Sequence, residues 1–503
     1  MELNIKIYKL QDLKDVYELK QSIPYFKYME NEFYQLAKQF CFPISILHES
    51  CYVDKTFRDT YYTYFASKHF TVDKNCQRIS IFDKYYDIQD FYNKSNHVDI
   101  QNHFIGSIII KPLKNGTWGK TLIDPKKLNK PPFYVRTTKY NLIINGVNFE
   151  IDAYPFSSQD TEIMTCAETS IWTMLDYYGN RYPEYRVVLP NDIISEVNLS
   201  SDERVLPSHG LNYLQKSNLL KKFGFSPRVY ERAKYGDELT KKIFHYYVES
   251  GIPLTISLSG HSTVCIGHSD TKPNILNIDS ESNIEGFEFY DSADFCNDYV
   301  IIDDNQIPYV IETYDNFSLH LSSKKIVRFT VPLYKRIFLE ASDAKGIFDI
   351  VVRDLMCVQH IKNYINSYNI NDDNPIIKRI FLTTSRKFKA FRITNAFSST
   401  ESSYYSKLPF PKFIWVLELS TYSNYKDKVF GEIVLDATAG RTSGLDSLIL
   451  IRLGKYFAYR LSDEDIDELI YRLMFMVDIN DTTKQYRNNL LLGGKHDYNT
   501  DNT

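Results

Sequence analysis

One cysteine in this chain stands where a thiol can become a nucleophile. The stretch SSQDTEIMTCAETSIWTMLDYYG (157–179) places Cys166 at the head of an apolar, aromatic helical pattern. The thiolate is the reactive form of cysteine, and a helix N-terminus with a nearby imidazole favours it. Acyl transfer to such a sulfur also needs donors aimed at the developing oxyanion. Gln159, on the incoming loop, is a candidate donor through its side chain. The backbone N–H of Cys166 is another.

The base must come from a distant, rigid element. GIPLTISLSGHSTVCIGH (251–268) reads as a strand, a glycine turn and a second strand led by His261. An imidazole base needs a carboxylate or amide to orient it. NDYVIIDDNQIPY (297–309) ends a β run in Asp303, Asp304 and Asn305, and any of the three can accept from the ring. Strand alternation puts Tyr299, Ile301 and Asp303 on one face and Asp304 on the other, which favours Asp303. Each residue also has an ordinary reading: a packed thiol, a structural histidine, a solvated turn, a loop glutamine. Cys41, Cys51, Cys76, Cys265, Cys296 and Cys357 are read as packing residues. His261, Cys265 and His268 suit a metal poorly, because alternation sends 268 to the face opposite 261 and 265.

In their order along the chain, these segments resemble papain-like cysteine peptidases, with the flavour of the bacterial double-glycine (bacteriocin-processing) peptidases. The shared pattern is a Gln, a Cys opening a helix, a Gly-x-Pro strand, a His-led strand and an Asp at the end of the next strand. The resemblance covers roughly residues 140–310. It implies Cys166 as nucleophile, His261 as base, Asp303 or Asp304 as its orienting partner and Gln159 as oxyanion donor, with no cofactor and no metal. Three departures stand out. Seven residues separate Gln159 from Cys166 where six is usual, Ala167 follows the cysteine where glycine is common, and residues 269–297 are inserted between the histidine and aspartate strands. Such an insertion suggests a lid or a substrate-selecting loop. The implied activity is hydrolysis of a peptide or protein through a thioester. The same triad could serve an acyltransferase or amidase, and a packed, inert Cys166 would instead mean a binding or scaffold protein.

The elements that must position these residues follow from pattern. The first 95 residues or so read as helix-rich, with amphipathic spacing in MENEFYQLAKQF. A strand follows in HFIGSIIIKPL, then NGTWGKTLIDPKKLNKPP as a linker. YNLIINGVNFEIDAY is a hairpin turning on Asn145-Gly146. The helix at Cys166 should end near Tyr178, with Gly179 as its stop. Helices at 206–225 and 237–251 precede strands PLTISL, STVCIGH, YVIIDD and KIVRFTVPLY. This order predicts an α+β fold, helices beside a largely antiparallel sheet. The expected division is an N-terminal helix-rich extension with a β segment (1–135), a papain-like catalytic domain (136–335) and a C-terminal α/β domain (336–503). The last has strands in RIFLTTS, FPKFIWVLELSTY and KVFGEIVLDATAG, and a helix in DEDIDELIYRLMFMVDI. LLLGGKHDYNTDNT (490–503) reads as a frayed polar tail, or as a tethered segment resembling what double-glycine peptidases cut after.

Charge and composition exclude several classes. With 59 basic and 63 acidic residues the net charge is −4, which leaves no footprint for nucleic acid. Gly116 and Gly119 lack the spacing of a phosphate loop. The charged N-terminus has no signal-peptide core, and no apolar run is long enough to span a membrane. Seven scattered cysteines without a C-x-x-C pair argue against a disulfide framework or zinc ribbon and fit a reducing cytoplasm. The large remainder outside the resemblance suggests control by an activating partner protein.

Overall fold

The computed structural model describes residues 5–201, 204–270, 274–317, 325–460, 469–470 and 473–495. It is an α+β fold whose strands pair antiparallel except for one parallel contact. The chain opens with β1 (Ile5–Leu10), β2 (Ile44–Tyr52), β3 (Cys76–Phe82), β4 (Phe104–Ile110) and β5 (Trp118–Ile123), a five-stranded sheet in sequence order. This corrects two expectations. The N-terminal region is as much sheet as helix, although Glu30–Ala37 is helical as anticipated. Every residue of β3 and β4 is buried, and strands covered on both faces lose the alternation that marks a strand. The supposed linker supplies β5, where Gly119 lets the Ile109 side chain sit 2.9 Å from where a Cβ would stand.

β6 (Phe133–Val135) leads into the hairpin β7 (Thr138–Ile144) and β8 (Val147–Ala153). Its turn uses Asn145 and Gly146 at φ 47° and 81°, as anticipated. One face of the hairpin packs on the first sheet, Tyr140 and Phe149 against Phe82 and Phe104. Next come β9 (Phe225–Glu231), β10 (Leu254–Leu258), β11 (His261–Ser269), β12 (Ser282–Ile284), β13 (Phe287–Asp291), β14 (Asp298–Ile302), β15 (Val310–Thr313) and β16 (Arg328–Tyr334). The central sheet runs β15-β14-β11-β10-β16-β9, with β6 joined to the far end of β11.

β17 (Ile376–Thr384), β18 (Phe413–Thr421), β19 (Lys428–Val429), β20 (Gly431–Asp436), β21 (Leu448–Leu453), β22 (Tyr456–Tyr459), β23 (Met474–Phe475), β24 (Thr483–Lys484) and β25 (Leu491–Gly493) complete the strands. A third sheet is ordered β12-β13-β17-β18-β20-β21-β22-β23. The insertion between the histidine and aspartate strands is therefore no lid: β13 joins β17 in parallel and becomes part of this sheet. Of the helix expected over 463–479, residues 463–468 and 471–472 lie outside the described residues, and 474–475 form the strand β23 instead. The tail is not frayed over 491–493, where β25 pairs with β6; residues 496–503 lie outside the described residues.

Two cores sandwich the central sheet. One side buries Ile256, Cys265 and Ile301 with the helices Asp237–Glu249 and Ala341–Cys357 and the third sheet. The other buries Val264, Ile266 and Ile302 with Trp172 and Leu175 of the helix Cys166–Arg181 and with the first sheet. The three sequence segments thus share their cores. The Cys166 helix runs past Gly179, because the absent side chain admits the Arg186 carbonyl, 2.6 Å from a Cβ position. Residues 206–212 are not helical; that helix is Tyr213–Lys222, capped by Asn212. No helix among the described residues is long and apolar enough to cross a membrane.

The third sheet is tied to the fold by a buried charge network. Glu418, fully buried, accepts from Arg379 and Arg392 at 2.6 Å each and from the Tyr486 N–H at 2.9 Å. Removing Glu418 takes one carboxylate from each arginine, leaving Arg379 with Glu249 and Arg392 with Glu432 alone. Glu418→Ala is expected to cost about 1.5–3 kcal/mol, the scale of lost hydrogen bonds to charged groups, read as a lower urea midpoint. A midpoint within error of the wild type would show the network to be dispensable.

Candidate active site

Cys166 is the first residue of its helix, so its sulfur sits at the positive end of the helix dipole. Glu168, in the first turn and 2% exposed, accepts from the Thr165 and Ser208 hydroxyls. Ser208 Oγ in turn accepts from the Gly210 N–H at 3.1 Å. This chain pins the 208–210 loop beside Cys166.

His261 is the first residue of β11, delivered by a turn in which Gly260 takes φ 77°. β14 runs antiparallel to β11, with Val264 opposite Ile302. The end of one strand therefore lies beside the start of the other, and Asp303 meets His261. Nε2 of His261 is 3.0 Å from Oδ1 of Asp303, which also accepts the Asn305 N–H at 3.0 Å. Asp304 Oδ1 is farther, at 4.0 Å. The second hydrogen bond of the His261 ring goes to Cys166. Cys166 and His261 open onto a cleft of about 650 Å³.

Burial alone would discharge His261. The hydrogen bonds from Asp303 and Cys166 and the charges of Asp303 and Asp304 overcome it and raise the imidazole to about 10. Burial, reinforced by the neighbouring Asp303 charge, raises Asp304 to about 8. The two adjacent carboxyls therefore differ in character: Asp303 is the hydrogen-bonded partner of the ring, and Asp304 is held towards its neutral form.

Of the sequence-derived residues, Cys166, His261, Asp303 and Asp304 converge. Gln159 is tied to the residue that follows Asp304. Its amide donates to Asn305 Oδ1 at 2.6 Å, on the Asp303 side of the histidine. The Gln159 backbone is held by Gly116, whose φ of +64° brings the Gln159 carbonyl within 1.9 Å of where a Cβ would be. Cys41, Cys51 and Cys357 are exposed, contrary to the packing expectation, because they fall at a loop, a strand margin and a helix end. Cys76, Cys265 and Cys296 are buried as anticipated. His268 does not join His261: its Nε2 is 2.9 Å from Glu249. Among the described residues, only His261, Asp303 and Asp304 offer three metal-ligand atoms within 4.8 Å of one another, and those atoms are the ones used in the contacts above.

Sequence reading missed Lys216. It is 2% exposed, and its ammonium donates to Ser257 Oγ at 2.7 Å and Ser262 Oγ at 3.2 Å on the cleft wall. Burial lowers it to about 8, against the opposing pull of Cys166. The available signal was spacing: Lys216 lies three and four residues before the buried Leu219 and Leu220, on the inward face of its helix.

No family model matches the chain, and no curated protein sequence matches it.

The imidazole makes a testable contribution to stability. Its folded pKa of about 10 lies above the ordinary 6.5. The stabilisation is therefore full below the lower value and is lost as pH rises through the upper one. The stability lead of the wild type over His261→Gln, from urea midpoints, should be largest near the ordinary pKa and shrink toward about 10. A lead that is flat with pH would mean that His261 is not held as imidazolium.

Proposed function

We propose that this chain is a papain-like cysteine peptidase. The observation that carries the reading is the His261 ring set between Asp303 and a cysteine at a helix N-terminus, at the wall of an open cleft. The order of parts supports it too: nucleophile helix, histidine-led strand, then an aspartate closing the next strand of the sheet.

In this reading the Cys166 sulfur attacks the scissile carbonyl carbon as thiolate, and the C–N bond breaks as His261 passes its proton to the leaving amine. The Cys166 N–H faces the oxyanion, since the Gln159 amide is engaged with Asn305. The thioester is then cleaved by water. His261 takes one proton from that water, the hydroxyl adds to the carbonyl carbon, and the acid leaves as the sulfur is released. Asp303 orients the ring throughout.

The test is peptide-mapped alkylation at neutral pH with a limiting cysteine reagent. Cys166 should react ahead of the exposed Cys41, Cys51 and Cys357, and His261→Ala should slow it by about 10²-fold or more. Labelling that tracks exposure alone would sink the proposal.

The two aspartates should separate in the same assay. Asp303→Asn is expected to lower Cys166 reactivity by about 10²-fold or more, while Asp304→Asn stays within about threefold. Equal losses would show that the carboxyls act as one unit. Once a cleaved peptide is found, a primary amine in the reaction separates hydrolysis from acyl transfer by product mass.

A further inference from the structure

The cleft beside Cys166 has a charge pattern that peptide hydrolysis does not require. His209, Lys216, His261 and Arg328 line it, and no Asp or Glu is among the described residues doing so. His261 is hydrogen-bonded to Asp303, which leaves Lys216 and Arg328 to set the field of the cleft.

These two cations are neighbours by construction. Arg328 of β16 pairs directly with Ser257 of β10, and the Ser257 hydroxyl is the one that takes the Lys216 ammonium. The positive charge of Arg328 accordingly weighs on Lys216. The other partner of Lys216, Ser262, is also neutral. Glu168 lies within electrostatic range, but its carboxylate accepts from Thr165 and Ser208. The Arg328 guanidinium lies 4.0 Å over the Tyr213 ring, and Glu231 approaches its Nε only to 3.8 Å. That buried Nε makes no hydrogen bond among the described residues. The buried Lys216 faces only hydroxyls and the partly exposed Arg328 has a single carboxylate at 3.8 Å, so an anion entering the cleft relieves both.

We propose that Lys216 and Arg328 form a carboxylate-binding subsite, so that the substrate carries an acidic side chain beside the scissile bond. This rests on the peptidase reading. The guanidinium offers a fork to a carboxylate, and the ammonium offers its remaining N–H as a point charge. The serine hydroxyls hold the ammonium in place without neutralising it.

The experiment compares iodoacetate with iodoacetamide at Cys166 in the full-length protein, by peptide mapping. The anionic reagent is expected to gain about tenfold at Cys166 relative to its ratio at the exposed Cys51. The gain should fall with added salt. Lys216→Met and Arg328→Gln should each reduce it, and Lys216→Arg should keep it. Because Lys216 is buried, Arg328→Gln at the cleft rim serves if Lys216→Met does not fold. Capped hexapeptide pools with one fixed Glu should protect Cys166 from iodoacetamide better than pools with Gln there, and the variants should equalise them. Protection only by pools with a free C-terminal carboxylate would overturn the side-chain assignment. Selective, His261-dependent labelling of Cys166 with no anionic preference would overturn the subsite and leave the peptidase reading standing. Failure of Cys166 to label selectively would remove both.

Discussion

The antiparallel pairing of β11 with β14 is the constraint on which the site depends. Opposed strands bring the start of one beside the end of the other, and those two positions are His261 and Asp303. The 3.0 Å contact is therefore set by backbone register rather than by the reach of a flexible side chain. Register is firmly held only where both strand faces are committed to a core. β11 meets that condition, being buried from His261 to His268. Antiparallel sheets often leave one face in water, but this one is covered on both. The flanking segments supply the cover: the first sheet lies on the side of the Cys166 helix, and the third sheet with its helices lies on the other.

The same sandwich explains the electrostatics. Burial by itself would neutralise every titratable group near Cys166. It does so in part for Asp304 and Lys216, each moved toward its uncharged form. His261 moves the other way, because its ring is hydrogen-bonded to Asp303 and Cys166 at once. One environment thus yields a retained imidazolium, a suppressed carboxylate and a weakened ammonium. The differences come from the charges and hydrogen-bond partners each group meets. Asp303 and Asp304 make the point as adjacent residues with opposite roles.

How much of this was legible in the sequence varied with the physics involved. The Asn145-Gly146 hairpin, the helix opening at Cys166 and the histidine-led strand were readable because local rules govern them: turn dihedrals, helix periodicity, strand alternation. Asp303 was preferred over Asp304 by alternation, and the 3.0 and 4.0 Å distances agree with that preference. Strand β4 was read as a strand from its apolar run, whereas β3 was missed because full burial erases the period of two. The role of residues 287–291 was not legible, because a parallel contact with β17 pairs residues about 87 positions apart. The contact of Gln159 was not legible for a related reason. Its acceptor, Asn305, lies 146 residues along the chain, and only tertiary structure brings the two together. Lys216 showed a helical-face signal, yet a lysine on a buried face is normally discounted as a solvent-seeking side chain.

The insertion between His261 and Asp303 bears on what kind of site this is. A lid would need a segment free to move over the cleft. Instead, β13 is built into the third sheet, where Phe289 and Ala293 are buried in the same core as Trp415. The connection from β11 to β14 thus passes through a packed neighbour before returning, which anchors both strands of the His261–Asp303 pair at their far ends. The residues that border the opening come from elsewhere: the 208–210 loop pinned by Glu168, the head of the Lys216 helix, and Arg328 on β16. Access to Cys166 is therefore shaped by elements outside the β11–β14 unit. The His261–Asp303 geometry and the cleft rim rest on different parts of the fold, so a change at the rim can alter what enters without disturbing the register that sets the histidine.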